Sequence, residues 1–231
     1  MSRRLIFWFA GILALGLLAL IPLRMALGRF AEQGFTARQV AGTIWYGRIG
    51  ELNFKSRRLG SFEVALEPLT LLTGAVKLGF HRVDDPQGVL DGVLVSGANR
   101  GFSETTGRIG VAGLSGTLPL DAIEFDNVSV LFKGQNCSKA AGQVTVLLAA
   151  PLPGVDGVVL RGSPRCENKR VRFVLSTPSG SGKLDFYVRS SGDYRAWFHV
   201  RGAQPDQAAN LMAVGFSPSQ EGLMMSIDGK L

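Results

Sequence analysis

Residues 5–23, LIFWFAGILALGLLALIPL, carry no charged side chain, and this run constrains the chain more than any other stretch. At about 1.5 Å of rise per residue it makes a helix of roughly 28 Å, close to the hydrocarbon thickness of a bilayer. A helix buried in a soluble core would normally show a polar face, and this one has none. It is therefore expected to span a membrane. Arg3 and Arg4 precede the run, and Arg24 and Arg29 follow it. The bias toward a cytoplasmic N-terminus is slight but present, which puts residues 1–4 in the cytoplasm and the bulk of the chain on the far side. A cleaved signal peptide also begins with arginines and an apolar core, but ends in a small-x-small site. Ile21-Pro22-Leu23-Arg24 follows here, so an uncleaved anchor is the preferred reading.

Beyond the run, about two hundred residues remain, enough for one sizeable domain or two small ones. Glycine is abundant, with 30 residues in 231, and the aliphatic residues come in short alternating bursts. This pattern predicts a mainly β fold: residues 24–39 as a helical stalk ending near Gly34, then one β-rich domain over residues 40–231. The expected architecture is an elongated, curved antiparallel sheet, either an open trough or a partial barrel. Residues 40–54 read as one strand with a glycine kink. Leu69 to Leu72 read as an apolar turn packed on the sheet, and residues 84–88 as a tight turn. Later strands are expected over residues 123–133, 142–149, 155–161, 171–176, 182–188, 195–200 and 222–230, with one helix over 206–214 after Pro205. The tetrapeptide Gly47-Arg48-Ile49-Gly50 recurs at residues 107–110, a hint of internal duplication.

The formal charge of +7 is scattered along strands and membrane flanks. Two tighter groups, Lys55/Arg57/Arg58 and Lys169/Arg170/Arg172, are suited to acidic headgroups or an acidic partner. A nucleic-acid interface would need a stronger basic patch with interleaved aromatics, so no nucleic-acid partner is expected. Cys137 and Cys166 are the only cysteines. An even pair on the exported side points to a disulfide, placed in two strand connections; two separate buried thiols is the alternative.

Catalytic spacings are missing. There is no nucleophile elbow, no H-E-x-x-H helix and no phosphate loop, and Gly180-Ser181-Gly182-Lys183 reads as a hairpin turn. His81 with Asp84 and Asp85 is the one cluster resembling a metal site, with too few ligands for zinc. His199 reads as a strand residue. No enzyme activity, cofactor or metal is expected.

The most distinctive succession is Gly42-Thr43-Ile44-Trp45-Tyr46-Gly47, then Leu59-Gly60, then Leu66-Glu67-Pro68-Leu69-Thr70-Leu71-Leu72-Thr73-Gly74. It resembles the protein N family of the type II secretion system, single-pass inner-membrane proteins of Gram-negative bacteria. Gly42, Trp45, Gly47, Leu59, Gly60, Pro68, Leu71, Leu72 and Gly74 carry the resemblance as structural positions. Members commonly have a tryptophan in the second strand, where this chain has Phe62 and Val64. The resemblance implies an accessory or scaffold component of protein secretion, anchored in the inner membrane. Its periplasmic β domain would bind other inner-membrane secretion components or the secretin. Such proteins also look like short relatives of AsmA-type proteins, which implies the alternative of a lipid-binding or lipid-transfer module with a lipid in an apolar groove.

Overall fold

A computed structural model describes residues 3–25, 28, 34–54, 57–83, 88–112 and 120–230, and the chain divides into two compact units, Met1–Pro86 and Gln87–Leu231. In the first, helix α1 runs over Arg3–Ala19. The apolar run was expected to stay helical to Leu23, but the helix stops short of Pro22, which has no N–H to donate. Pro22 instead forms an isolated β-bridge with Thr43, and the Ile44 N–H donates to the Ile21 carbonyl at 3.0 Å. Leu23 is 4% exposed. Among the described residues, no helix is long and apolar enough to cross a membrane. Part of the expected stalk, residues 26, 27 and 29–33, lies outside the described residues, and its end is strand.

Strands β1 (Phe35–Gly42), β2 (Gly47–Phe54), β3 (Arg57–Leu66) and β4 (Val76–Val83) form an antiparallel meander in chain order. The predicted single kinked strand over residues 40–54 is thus a hairpin. Gly42 makes the turn at φ +89°, where a Cβ would sit 2.6 Å from the Tyr46 carbonyl oxygen, and the Thr43 N–H closes the loop onto that oxygen at 3.0 Å. Pro68–Leu71 forms a one-turn helix, α2, with proline at its first position. It does not pack on the sheet as expected, because the Glu67 N–H still pairs with the Lys77 carbonyl and the turn lies beyond the end of the ladder. Leu69 and Leu72 are 77% and 86% exposed.

The second unit contains β5 (Leu90–Ser96), β6 (Asn99–Gly110), β7 (Leu120–Lys133), β8 (Asn136–Leu148), β9 (Val159–Glu167), β10 (Arg170–Ser176), β11 (Gly182–Arg189), β12 (Asp193–Val200), helix α3 (Pro205–Ala213), β13 (Ser217–Ser219) and β14 (Gly222–Lys230). All its strand pairings are antiparallel and follow chain order, except that β14 lies beside β12 and carries the short β13 at the edge. The ladder does not close into a barrel. The predicted turn at residues 84–88 falls mostly outside the described residues. The repeated tetrapeptide occupies unlike places, opening β2 in one copy and ending β6 in the other.

Strict alternation sets the core. Val171, Phe173 and Leu175 of β10 are buried, as are Leu184 of β11 and Phe198 and Val200 of β12. One apolar face in a single-layer sheet must be covered, and this sheet covers it by curling. Phe102 of β6 and Ile227 of β14 line the same cavity although they are seven ladder steps apart, about 34 Å in a flat sheet. Register shifts in the β5–β6, β6–β7 and β7–β8 ladders, with Glu104 and Asn127 at positive φ, supply the bend. At one end α3 seals the curl. Pro205 and a reciprocal Gln204–Gln207 capping box start the helix, and Leu211 and Phe216 pack beneath Phe198, whose ring meets Phe216 edge-on at 6.1 Å.

Cys137 and Cys166 form a disulfide with a Cα–Cα distance of 5.4 Å. They lie inside β8 and β9, not in the strand connections as expected, because both strands run further than their apolar alternation. The β8–β9 ladder pairs only Val144–Leu147 with Val159–Gly162. Beyond it the disulfide and a 3.0 Å bond from the Cys137 N–H to the Asn168 carbonyl tie the two strands.

Three outcomes are expected. Cys137→Ser should lower unfolding stability by roughly 3 to 4 kcal/mol, the chain-entropy value for a loop closed across 29 residues, read from urea unfolding with and without reductant. Gly162→Ala should cost about 1 to 3 kcal/mol, because a Cβ there would run into the Val174 carbonyl; an unchanged urea midpoint would contradict the close approach. The Arg201 guanidinium, bonded to Glu221, holds that carboxyl below its ordinary pKa. The pair's contribution is therefore present above the ordinary carboxylate range and lost as pH falls through the lowered folded-state value. Glu221→Gln should be slightly less stable than the parent at pH 7, and the gap should vanish in acid.

Candidate functional site

The curled sheet of the second unit encloses an apolar cavity of about 550 Å³. Its walls are the inward positions of β6 to β8, β10 to β12 and β14, where period-two alternation puts an apolar side chain at every second residue. The aromatic residues dominate. Phe102 and Phe125 meet edge-on at 6.4 Å, and Phe173, Phe186 and Tyr194 form a chain with centroids 5.7 and 5.8 Å apart. Val130, Val144, Val146, Leu184 and Ile227 fill the spaces between them.

The cavity opens where the strand ends and turns β7–β8, β9–β10 and β11–β12 gather, and toward the α3 end its lining gives way to the buried cluster of Phe198, Leu211 and Phe216. Arg100, Arg189 and Ser190 line both the cavity and a polar basin outside it, which also holds Gln135, Glu167, Lys169, Arg170 and Ser191. The disulfide stands at this mouth through Cys166. Arg100 donates to the Gly134 carbonyl at 3.2 Å, and Arg170 lies 4.3 Å over the Tyr187 ring while bonding Glu167 at 3.4 Å.

Behind the wall, on the outer face, Arg172 joins Glu167 at 3.1 Å to Asp185 at 3.0 and 3.1 Å, and Lys183 completes the set at 3.0 Å from Asp185. The hydrogen bond that Arg172 donates to Glu167, reinforced by those to Asp185, raises the Arg172 pKa still further, so the guanidinium stays charged wherever the fold survives. Asp185 is a buried carboxylate that this network satisfies. These ionic contacts fix β10 against β11 and so hold Phe173 and Phe186 in place on the other face. They have no substrate-facing geometry.

The positions that carry the family resemblance lie in the first unit, and none lines the cavity. Gly42 and Gly47 bracket the β1–β2 hairpin, with half-buried Trp45 at its tip and Leu23 against Gly47. Leu59 and Gly60 lie in β3, Gly60 buried. Pro68, Leu71 and Leu72 belong to the exposed turn of α2, which Gly74 closes by donating to the Leu71 carbonyl at 3.1 Å. His81 sits opposite Glu63 in β4, and His199 opposite Lys183 in β12. Among the described residues, no group of three or more metal-ligating side chains converges, and Asp84 and Asp85 lie outside them.

Of the cavity and its mouth, the sequence reading found Lys169 and Arg170, from the Lys169/Arg170/Arg172 group, and Cys166. The cavity phenylalanines carry no motif, being single inward positions on strands far apart in sequence. Their one signal is that large aromatics recur on the inward phase of alternating strands.

The chain matches the family described as Type II secretion system (T2SS), protein N, over residues 33–224. No curated protein and no solved structure matches it. The matched span runs through both units, from the first hairpin to β14. Covering most of the sequence, this match means that the chain belongs to the protein N family of the type II secretion system.

Proposed function

We propose that the chain is a non-catalytic scaffold of the secretion machinery, held in the inner membrane by α1, with its β units in the periplasm docking other inner-membrane components or the secretin. The observation that carries this reading is the family match over residues 33–224, which makes the chain a component of type II protein transport in the cell envelope. The anchor is supported by α1 itself. Phe7, Trp8, Phe9, Ile12, Leu13 and Leu17 are all exposed, so apolar side chains face outward all around the helix. The helix covers only seventeen residues, but the uncharged run of residues 5–23 that contains most of it has the length of a span, and Arg3 and Arg4 before it favour a cytoplasmic N-terminus. The disulfide supports an oxidising compartment for the second unit.

Docking is assigned to the α2 turn. Leu69, Leu71 and Leu72 are exposed on a segment that carries family-type residues, and such a patch on a small protein marks a contact surface. A second reading, a lipid-binding or lipid-transfer module of the AsmA kind, draws on one observation: the apolar cavity of the second unit.

In envelope fractions, the full chain should resist alkaline carbonate extraction. A photo-crosslinking residue in place of Leu72 should yield adducts with an inner-membrane secretion component or the secretin. Release of the intact chain into the wash would overturn the anchor, and adducts containing neither partner would overturn the docking assignment.

A further inference from the structure

We infer that the cavity of the second unit holds one linear acyl chain whose anionic head group lies in the basin at the mouth, against Arg189 and Lys169. This rests on the lipid-binding reading and narrows it to a single-chain anionic amphiphile.

The first argument is what the walls lack. Apart from the Tyr194 hydroxyl, the interior walls, with Phe102, Phe125, Phe173, Phe186 and Ile227, offer no hydrogen-bonding side chain, so a peptide threaded here would leave most of its backbone N–H and C=O groups unpaired. Each unpaired group would oppose binding. A hydrocarbon chain has no such groups, and its burial is favourable in proportion to its length. The second argument is volume. At about 30 Å³ for each methylene-sized unit, taking the share of a liquid water, a 550 Å³ cavity accepts one chain of roughly 16 to 18 carbons. Because the lining gives way toward the α3 end to the packed cluster of Phe198, Leu211 and Phe216, the chain enters tail first and its head remains at the mouth.

The third argument is charge. The basin is lined by four cations, Arg100, Lys169, Arg170 and Arg189, and one carboxylate, Glu167. Arg170 and Arg172 already engage Glu167, at 3.4 and 3.1 Å. Arg189 and Lys169 are exposed and form no ion pair among the described residues. Arg189 also lines the cavity, so an anion beside it continues directly into the apolar interior. Carboxylate and phosphate heads share the chemistry that a guanidinium and an ammonium recognise.

The test uses the full chain in phosphatidylcholine nanodiscs, labelled with a diazirine-bearing hexadecanoic acid or the matching diazirine-bearing hexadecanol, and reads the labelled peptides by mass spectrometry. The acid should label peptides containing Phe173, Phe186 or Ile227 at least about ten-fold more than the alcohol, the discrimination expected of charge-assisted hydrogen bonds. The exposed double variant Arg189→Gln/Lys169→Gln should lose about ten-fold of the acid labelling and keep that of the alcohol. Equal labelling by acid and alcohol would overturn the head-group assignment while leaving the lipid-binding reading in place. Labelling of these peptides no higher than in detergent-unfolded protein, for both probes, would overturn the two together.

Discussion

The second unit depends on one constraint: a sheet a single layer thick has no facing layer to bury its apolar side. Helix α3 covers only one end, with Leu211 and Phe216 against Phe198. Elsewhere the sheet must meet itself, and the bulged ladders from β5 to β8 bend it enough that β6 and β14 face a common interior. Fully buried Val128, Leu160, Val171 and Val200 form the packed part of that interior. Where the wall residues are too far apart to touch, the interior is a cavity. The aromatic residues that line it are there because the inward phase of each strand must be apolar, whether or not its neighbours fill the space.

The curl also explains why the two ends differ. At the α3 end, β8 and β9 are paired by backbone hydrogen bonds through Val144–Leu147. Toward the mouth that pairing stops, and Pro164 removes a donor from β9 in this stretch. An unpaired seam at the rim of a cavity is a place for local opening. The Cys137–Cys166 bridge crosses it, and the Arg172–Glu167–Asp185 contacts brace the adjoining strands from outside. The mouth is thus held by covalent and ionic ties, the closed end by packing.

The first unit solves a different problem. Its hairpin is anchored to the chain leaving α1, through the Pro22–Thr43 bridge and the seat of Leu23 against Gly47. The glycines of the family pattern serve this local geometry. What the unit leaves uncovered is apolar: the sides of α1 and the turn of α2. Apolar surface of this extent is seldom left uncovered on a small protein.

Much of the fold was legible from local signals. Alternation located β10, β11, β12 and β14 almost to the residue, and Pro205 located α3. The Gly42 hairpin was read as a kink because a glycine at positive φ looks the same in sequence whether the chain bends or reverses. The α2 turn was expected to be packed because four apolar residues carry no indication that the ladder ends beside them. By itself, then, the sequence determined the mainly β class, the secretion family and the cysteine pair available for bridging, all of which rest on residue type and short-range period. Only the tertiary structure decided that Phe102, Phe173, Phe186 and Ile227 share one cavity and that Arg100, Lys169 and Arg189 ring its mouth. Those neighbours are set by how far a bulged ladder curls, a sum of small twists over many strands that no single stretch of residues records.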